Sequence, residues 1–217
     1  MTDHEGMKPN DAPDQAVYVV DDDESLRTAM TRMLKSAGHE VRAFGSAADF
    51  LLARDGPLRG CIVLDIRMPG GPSGFELQAG LARQAETVPV IFVTGHGDIP
   101  MSVRAIKAGA FDFLTKPVHR ETLLAAVDSA LVQEAESWDR AGRKREMEER
   151  VDSLTPCELE VYRRVISGQP NKQIAMELGS AERTVKAHRA RVMAKMGAES
   201  LAELVHFSEA LRERMVS

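Results

Sequence analysis

The chain has 217 residues, 43% of them hydrophobic and 28% charged, which suffices for one large domain or two modest ones and excludes disorder throughout. Its net charge of −5 is unevenly spread, with 13 Lys and Arg against 19 acids in residues 1–135 and 10 against 8 in residues 153–217. An acidic front joined to a mildly basic back points to a polyanion-binding module at the end, and two cysteines, Cys61 and Cys157, exclude a disulfide framework or a zinc site.

The start, MTDHEGMKPNDAPDQ, is polar with acids and prolines and reads as a loose N-terminus over 1–15. Short apolar runs rich in β-formers follow: VYVV (17–20), EVRAF (40–44), CIVLD (61–65), PVIFV (89–93) and FDFLT (111–115). Between and after them, segments beginning near Glu24, Ser46, Gly74, Asp98 and Arg120 have helical apolar spacing. Five such units predict an α/β domain over 16–131 with a five-stranded doubly wound parallel sheet, because nearly continuous apolar strands are those covered on both faces. Both cysteines lie in apolar surroundings and are expected to be small buried residues.

Residues 132–152 mix both charge signs without proline and predict an exposed linker helix. The remainder, 153–217, is all helical, with helices over 155–167, 171–178, 182–196 and 200–212 punctuated by Gly168, Pro170, Gly179 and Gly197. No apolar run approaches the ~18 residues of a membrane helix, so a cytoplasmic protein without a membrane partner is expected.

Ligands of open α/β sheets bind outside the carboxyl ends of the strands. Here those ends carry Asp21-Asp22-Asp23, Asp65, Thr94 and Lys116-Pro117. Converging carboxylates repel one another unless a cation sits among them, and hard oxygen donors suit Mg²⁺. Phosphoryl transfer to a carboxylate needs a nucleophile, a balancing cation and a hydroxyl donor, for which Asp65, Lys116 and Thr94 are the candidates. Taken singly, each has an ordinary explanation: Asp23 suits a helix N-cap, Lys-Pro a turn and Thr94 packing.

In residues 171–197, Ala175, Gly179 and Val185 have the spacing of a helix-turn-helix: a small residue at the crossing, a glycine for positive φ and a β-branched plug. Arg183, Lys186, Arg189, Arg191 and Lys195 follow in one helix with no acid between them, as phosphate contacts require.

With VVDDD (19–23), VLDIRMPG (63–70), VTGHGD (93–98) and KAGAFDFLTKP (107–117), residues 16–131 resemble the receiver domain of two-component response regulators. Residues 154–197 resemble the LuxR-type DNA-binding domain, a four-helix module, and the whole chain resembles the FixJ/NarL class. The resemblance implies that Asp65 accepts phosphate from a sensor histidine kinase. Asp21, Asp22, Asp65 and the backbone carbonyl of Arg67 would hold Mg²⁺ or Mn²⁺, while Thr94 and Lys116 contact the phosphoryl group. Phe113 falls at the aromatic switch position, often Tyr, and would act by packing. The loop MPGGPSGFEL (68–77) is one residue longer than usual near Gly71-Pro72, which bears on access to Asp65.

By position in the LuxR-type module, Lys186, Ala187 and Ala190 face bases, and Lys172, Arg183, Thr184, His188 and Arg189 reach phosphates of promoter DNA. Phosphorylation would free the effector or create a dimer face, with Met101, Arg104, Lys107 and Asp112 as its candidates; RNA polymerase is a further candidate partner. Apart from Mg²⁺-dependent self-phosphorylation and slow self-dephosphorylation, no enzymatic activity is expected. The alternative is an aspartyl-phosphate phosphatase or phosphotransferase, but such enzymes usually carry a general-acid Asp two residues after the nucleophile, where this chain has Arg67. A protein-interaction module with a helical tail that binds no DNA is a third reading, disfavoured by the cations at 183–195.

Overall fold

The computed structural model describes residues 15–54, 56–69, 71–84, 86–95 and 99–210. The expected loose N-terminus, apart from Gln15, lies outside the described residues, as do Asp98 at the expected start of the fourth helix and the expected helix end at 211–212. The chain divides between Ser137 and Trp138 into two compact units.

In the first unit the strands are β1 (Ala16–Val20), β2 (Val41–Phe44), β3 (Gly60–Asp65), β4 (Val90–Thr94) and β5 (Asp112–Thr115). They form one parallel sheet in the order β2-β1-β3-β4-β5. The order reverses between β1 and β3, which opens a crevice beyond their carboxyl ends. Register fixes what lines it: Val20 pairs with Leu64, Asp65 with Val93 and Thr94 with Thr115, so Asp21, Asp65, Thr94 and Lys116 end neighbouring strands at one edge.

Alternation along the strands divides the core between the two faces. Tyr18, Val20, Ile62, Leu64 and Phe92 pack with Phe50 of α2 (Ala47–Leu52), Leu77 and Leu81 of α3 (Gly74–Arg83) and Ala105 of α4 (Ile99–Lys107). On the other face, Val17, Val19, Cys61, Val63, Ile91 and Val93 pack with Met30 and Leu34 of α1 (Glu24–Ser36) and Leu123 and Val127 of α5 (Arg120–Asp152). Each fully buried Val, Leu, Ile or Phe contributes about 1.5–3 kcal/mol relative to exposure.

Side-chain caps start the helices nearest the crevice. Asp23 accepts from the N–H groups of Ser25 and Leu26, and Ser73 forms a capping box with Glu76. The helix expected from about Arg120 and the linker helix expected over 132–152 are one uninterrupted element, α5, because no proline breaks it and mixed charges suit a solvated helix. Its last buried residue is Glu134.

The second unit surrounds a core of Val161, Tyr162, Ile174, Val185, Val192, Met196 and Leu204. Its elements are α6 (Pro156–Ile166), α7 (Asn171–Glu177), α8 (Glu182–Met196) and α9 (Leu201–Ala210). Ala175 and Val185 are buried as the helix-turn-helix spacing requires, and Gly179 turns between α7 and α8 at φ +60°. There the Ser180 N–H donates to Ala175 O and the Gly179 N–H to Met176 O, closing α7 with a Schellman motif.

Of the two cysteines expected to be buried, only one is. Cys61 is buried, but Cys157 is exposed. Helix α6 buries Glu158, Val161, Tyr162 and Val165, a row at helical spacing, and Cys157 stands one residue ahead of it in the first turn.

Candidate functional site

At the end of β1 Asp21 is fully buried, while Asp22, the next residue, is exposed; Asp65, ending β3, is buried. One carboxylate oxygen from each of the three lies within 4.8 Å of the others. Lys116, following β5, reaches in from the side, its Nζ donating to Asp65 Oδ2 at 2.7 Å and to Asp21 Oδ2 at 2.9 Å. The remaining oxygens take main-chain donors: Asp21 Oδ1 accepts from the Asp23 N–H at 2.9 Å, and Asp65 Oδ1 from the Arg67 N–H at 3.1 Å. Thr94 is buried at the end of β4.

Burial pushes the Asp21 carboxyl above its usual range, against the hydrogen bonds from Lys116 and the Asp23 N–H. Lys116 is also drawn down by burial, but its hydrogen bonds and charge interactions with Asp65 and Asp21 raise it on balance and hold it protonated. Three carboxylates against one ammonium leave two negative charges to balance, and all the acidic donors are hard oxygens with an open side at Asp22. The residues therefore fit a divalent, oxygen-preferring cation such as Mg²⁺ or Mn²⁺.

The surroundings keep this geometry tight. A Cβ at Gly74 would sit 2.4 Å from the main-chain oxygen of Asp65, so only glycine lets α3 begin directly against the end of β3. Gly71 and Pro72 are exposed ahead of the Ser73 cap. Phe113 is half-buried and packs, like Met101, on the edge of the core that holds Phe92 and Ala105.

Of the proposed dimer residues, Lys107 is exposed, Asp112 is half-buried with its Oδ1 accepting from the Phe113 N–H, and Met101 faces the core. Arg104 is turned to α3, its guanidinium carbon 4.8 Å from the centre of the Phe75 ring. Sequence reasoning missed the exposed apolar row on α4: Ile99, Val103 and Ile106, 80%, 45% and 51% exposed. Their spacing of four and three residues resembles a core-facing stripe, and the burial of Ala105 with the packing of Met101 shows which side is inward.

The cations of α8 do not act as one group. Arg189 Nη1 donates to Asn171 Oδ1, and Lys195 Nζ donates to Glu158 Oε2 at 2.7 Å and to Ser153 O at 2.9 Å. These bonds tie both to the body of the domain. Arg183, Lys186 and Arg191 are exposed, together with Thr184, Ala187 and Ala190, and Lys172 is exposed on α7. Arg191, four residues after Ala187 and eight after Arg183, shares their face, which helical spacing alone makes legible. His188 is half-buried, and its buried Nδ1 has no hydrogen-bond partner among the described residues.

The family model of the response regulator receiver domain matches residues 17–128, and that of the bacterial regulatory proteins of the luxR family matches residues 152–208. The chain belongs to the two-component response regulators of the FixJ/NarL class.

It is 46% identical over 195 residues to Nodulation protein W of Bradyrhizobium diazoefficiens, covering 90% of this chain and 86% of that protein. It is 41% identical over 192 residues to the transcriptional regulatory protein FixJ of the same organism, covering 88% and 93%. Among solved structures, the response regulator StyR matches with a TM-score of 0.83 at 47% identity, over 91% of this chain and 99% of that one. Full-length FixJ from B. japonicum matches with a TM-score of 0.55 at 40% identity, over 92% and 98%.

As a FixJ/NarL-class regulator, the chain is a phosphorylation-regulated transcription factor that pairs a receiver with a LuxR-type DNA-binding domain. Its relatives are transcriptional regulators, and the phosphatase alternative is not favoured. Response regulators with DNA-binding domains work with sensor kinases and bind DNA. No helix among the described residues is long and apolar enough to cross a membrane.

Proposed function

We propose that Asp65 accepts a phosphoryl group from a sensor histidine kinase and that this controls promoter binding by α8. The observation that carries the reading is the Lys116 ammonium bridging Asp65 and Asp21 beside exposed Asp22, where the sheet order reverses. An Asp65 carboxylate oxygen bonds to phosphorus while the donor's P–N bond breaks, and the electron pair leaves on the imidazole nitrogen, which takes up a proton. Bound Mg²⁺ or Mn²⁺, held by Asp21, Asp22, Asp65 and the main-chain carbonyl of Arg67, supplies charge neutralisation at the phosphoryl oxygens. Lys116 turns its ammonium to the new phosphoryl charge, and the Thr94 hydroxyl donates to a phosphoryl oxygen. Self-phosphorylation from small donors and slow self-dephosphorylation follow from the same groups, their rates tuned by the loop at Gly71-Pro72.

Movement of Thr94 toward the phosphoryl group makes room for the Phe113 ring, whose packing sets the α4–β5 surface. On that surface the apolar row Ile99, Val103 and Ile106, with Lys107 and Asp112 at its margin and Met101 and Arg104 on its inner side, forms the face of a dimer. The dimer places two copies of α8 in major grooves at paired half-sites, with Lys186, Ala187 and Ala190 against bases and Lys172, Arg183, Thr184, His188 and Arg191 near phosphates, joined by Arg189 beside its bond to Asn171. Residues 16–131 act as the receiver, 132–152 as the linker helix and 153–217 as the effector, in the cytoplasm, with RNA polymerase as a further partner.

The test is acetyl-phosphate labelling of the full-length protein and its Asp65→Asn variant, with promoter binding measured in parallel. Asp65→Asn loses both the label and the phosphate-stimulated binding; unchanged labelling and stimulation contradict the proposal.

A further inference from the structure

Asp21 is the first residue past the β1 ladder, whose last pairs are Val20 with Leu64 and with Phe44. It is fully buried, so its peptide groups must find partners outside the ladder. Its N–H donates to Phe44 O at 3.2 Å. Its carbonyl is taken by Arg27, a half-buried residue one turn into α1, whose Nη1 donates to it at 2.6 Å.

With Arg27 in place every polar group of Asp21 is engaged, since its two carboxylate oxygens accept from Asp23 and Lys116. The carbonyl of Asp21 belongs to the peptide plane that joins it to Asp22. Fixing that plane fixes the direction in which the Asp22 chain leaves β1. Asp22 is exposed, so its carboxylate takes its aim toward Asp21 and Asp65 from the backbone it stands on.

We infer that Arg27 is a positioning residue for the divalent cation: by holding the Asp21 carbonyl it orients the Asp21–Asp22 peptide and so presents Asp22 to the ion. The inference rests on the reading of Asp21, Asp22 and Asp65 as cation ligands. Arg27 works through the main chain and makes no contact with the phosphoryl group. Metal sites depend on such supporting hydrogen bonds as well as on their ligands.

The test is Mn²⁺ binding to the full-length protein, measured from the paramagnetic resonance of the free ion, for the wild type and for Arg27→Met, Arg27→Lys and Asp22→Asn. Arg27→Met is expected to weaken binding by about tenfold. Arg27→Lys, which keeps a charged N–H donor, recovers most of the loss, and labelling by acetyl phosphate at saturating Mn²⁺ stays near wild type in both. A merely structural role would lower thermal stability and leave the Mn²⁺ affinity of the folded variant unmoved.

Folded Arg27→Met with wild-type Mn²⁺ affinity overturns the inference, and so does Arg27→Lys binding no better than Arg27→Met. Should Arg27→Met not fold, Arg27→Gln, whose shorter side chain falls short of the carbonyl, takes its place in the same comparisons. Wild-type protein that binds no Mn²⁺ overturns the cation reading itself, and this inference with it. Binding that is lost in Asp22→Asn but kept in Arg27→Met overturns the role of Arg27 alone.

Discussion

Lys116 is the only ammonium bonded to both Asp21 and Asp65 among the described residues, and its removal leaves two carboxylates facing each other at the buried edge of the sheet. Lys116→Met is therefore expected to bind Mn²⁺ more tightly than wild type, because the ion then has no competing charge, while phosphate-stimulated DNA binding falls. Titration of the variant with Mn²⁺, beside a gel shift with acetyl phosphate, checks both directions. In the second unit, the hydrogen bond from Lys195, followed by that from the Thr155 N–H, lowers the Glu158 carboxyl to about 2. A carboxylate depressed in the folded state stabilises it fully above the ordinary carboxylate range and loses that contribution as pH falls through the range toward about 2. Glu158→Gln should thus melt earlier than wild type near neutrality, and the two melting temperatures should converge in acid; a constant difference contradicts the pairing. At this scale the sequence was informative where one residue type carries the chemistry. Asp21, Asp65, Thr94 and Lys116 were legible from strand ends, whereas Arg27 was not, because a main-chain carbonyl as partner leaves no mark in a sequence pattern.

In helix α8 Arg189 and Lys195 are bonded to other segments of the domain, Arg189 to Asn171 and Lys195 to Glu158 and Ser153. Arg191→Ala is expected to weaken DNA binding and reduce the slope of log affinity against log salt by about 1, since one phosphate contact is lost. Lys195→Ala should leave that slope unchanged and lower the melting temperature, because its ammonium is spent on Glu158 and Ser153. Gel shifts over a salt series with both variants measure the contrast. For α4, Val103→Asp is expected to abolish acetyl-phosphate-dependent dimerisation while leaving labelling intact; sedimentation of the labelled variant checks it. Element boundaries were legible because caps and breakers are local: Ser46, Ser73 and Thr155 all stand as N-caps, and Gly179 turns as its spacing predicts. Which face of a helix is covered was not, since partners come from distant sequence. Glu158 claims Lys195 across 37 residues, Asn171 claims Arg189 across 18, and the exposed row of α4 has the same spacing as a buried one.

Over the whole molecule, the division of charge along the chain matches its division into compact units. Much of the acidic excess of the front lies in the crevice, at Asp21, Asp22 and Asp65, each of which brings a carboxylate oxygen within 4.8 Å of the others. The small positive balance of the back understates α8, whose Arg183, Lys186 and Arg191 share an exposed side. What chain order could not reveal is that α5 runs unbroken from Arg120 to Asp152 through the point where the units divide. Helical propensity is continuous there, while the change from buried to solvated residues after Glu134 is tertiary. The central claim joins the two units: phosphorylation of Asp65 governs DNA binding by α8. Selection of genomic fragments by the full-length protein, with and without beryllofluoride and beside Asp65→Asn, measures that link directly. The account predicts enrichment of fragments with paired half-sites only for wild type with beryllofluoride; equal enrichment without it, or by Asp65→Asn, would contradict the account.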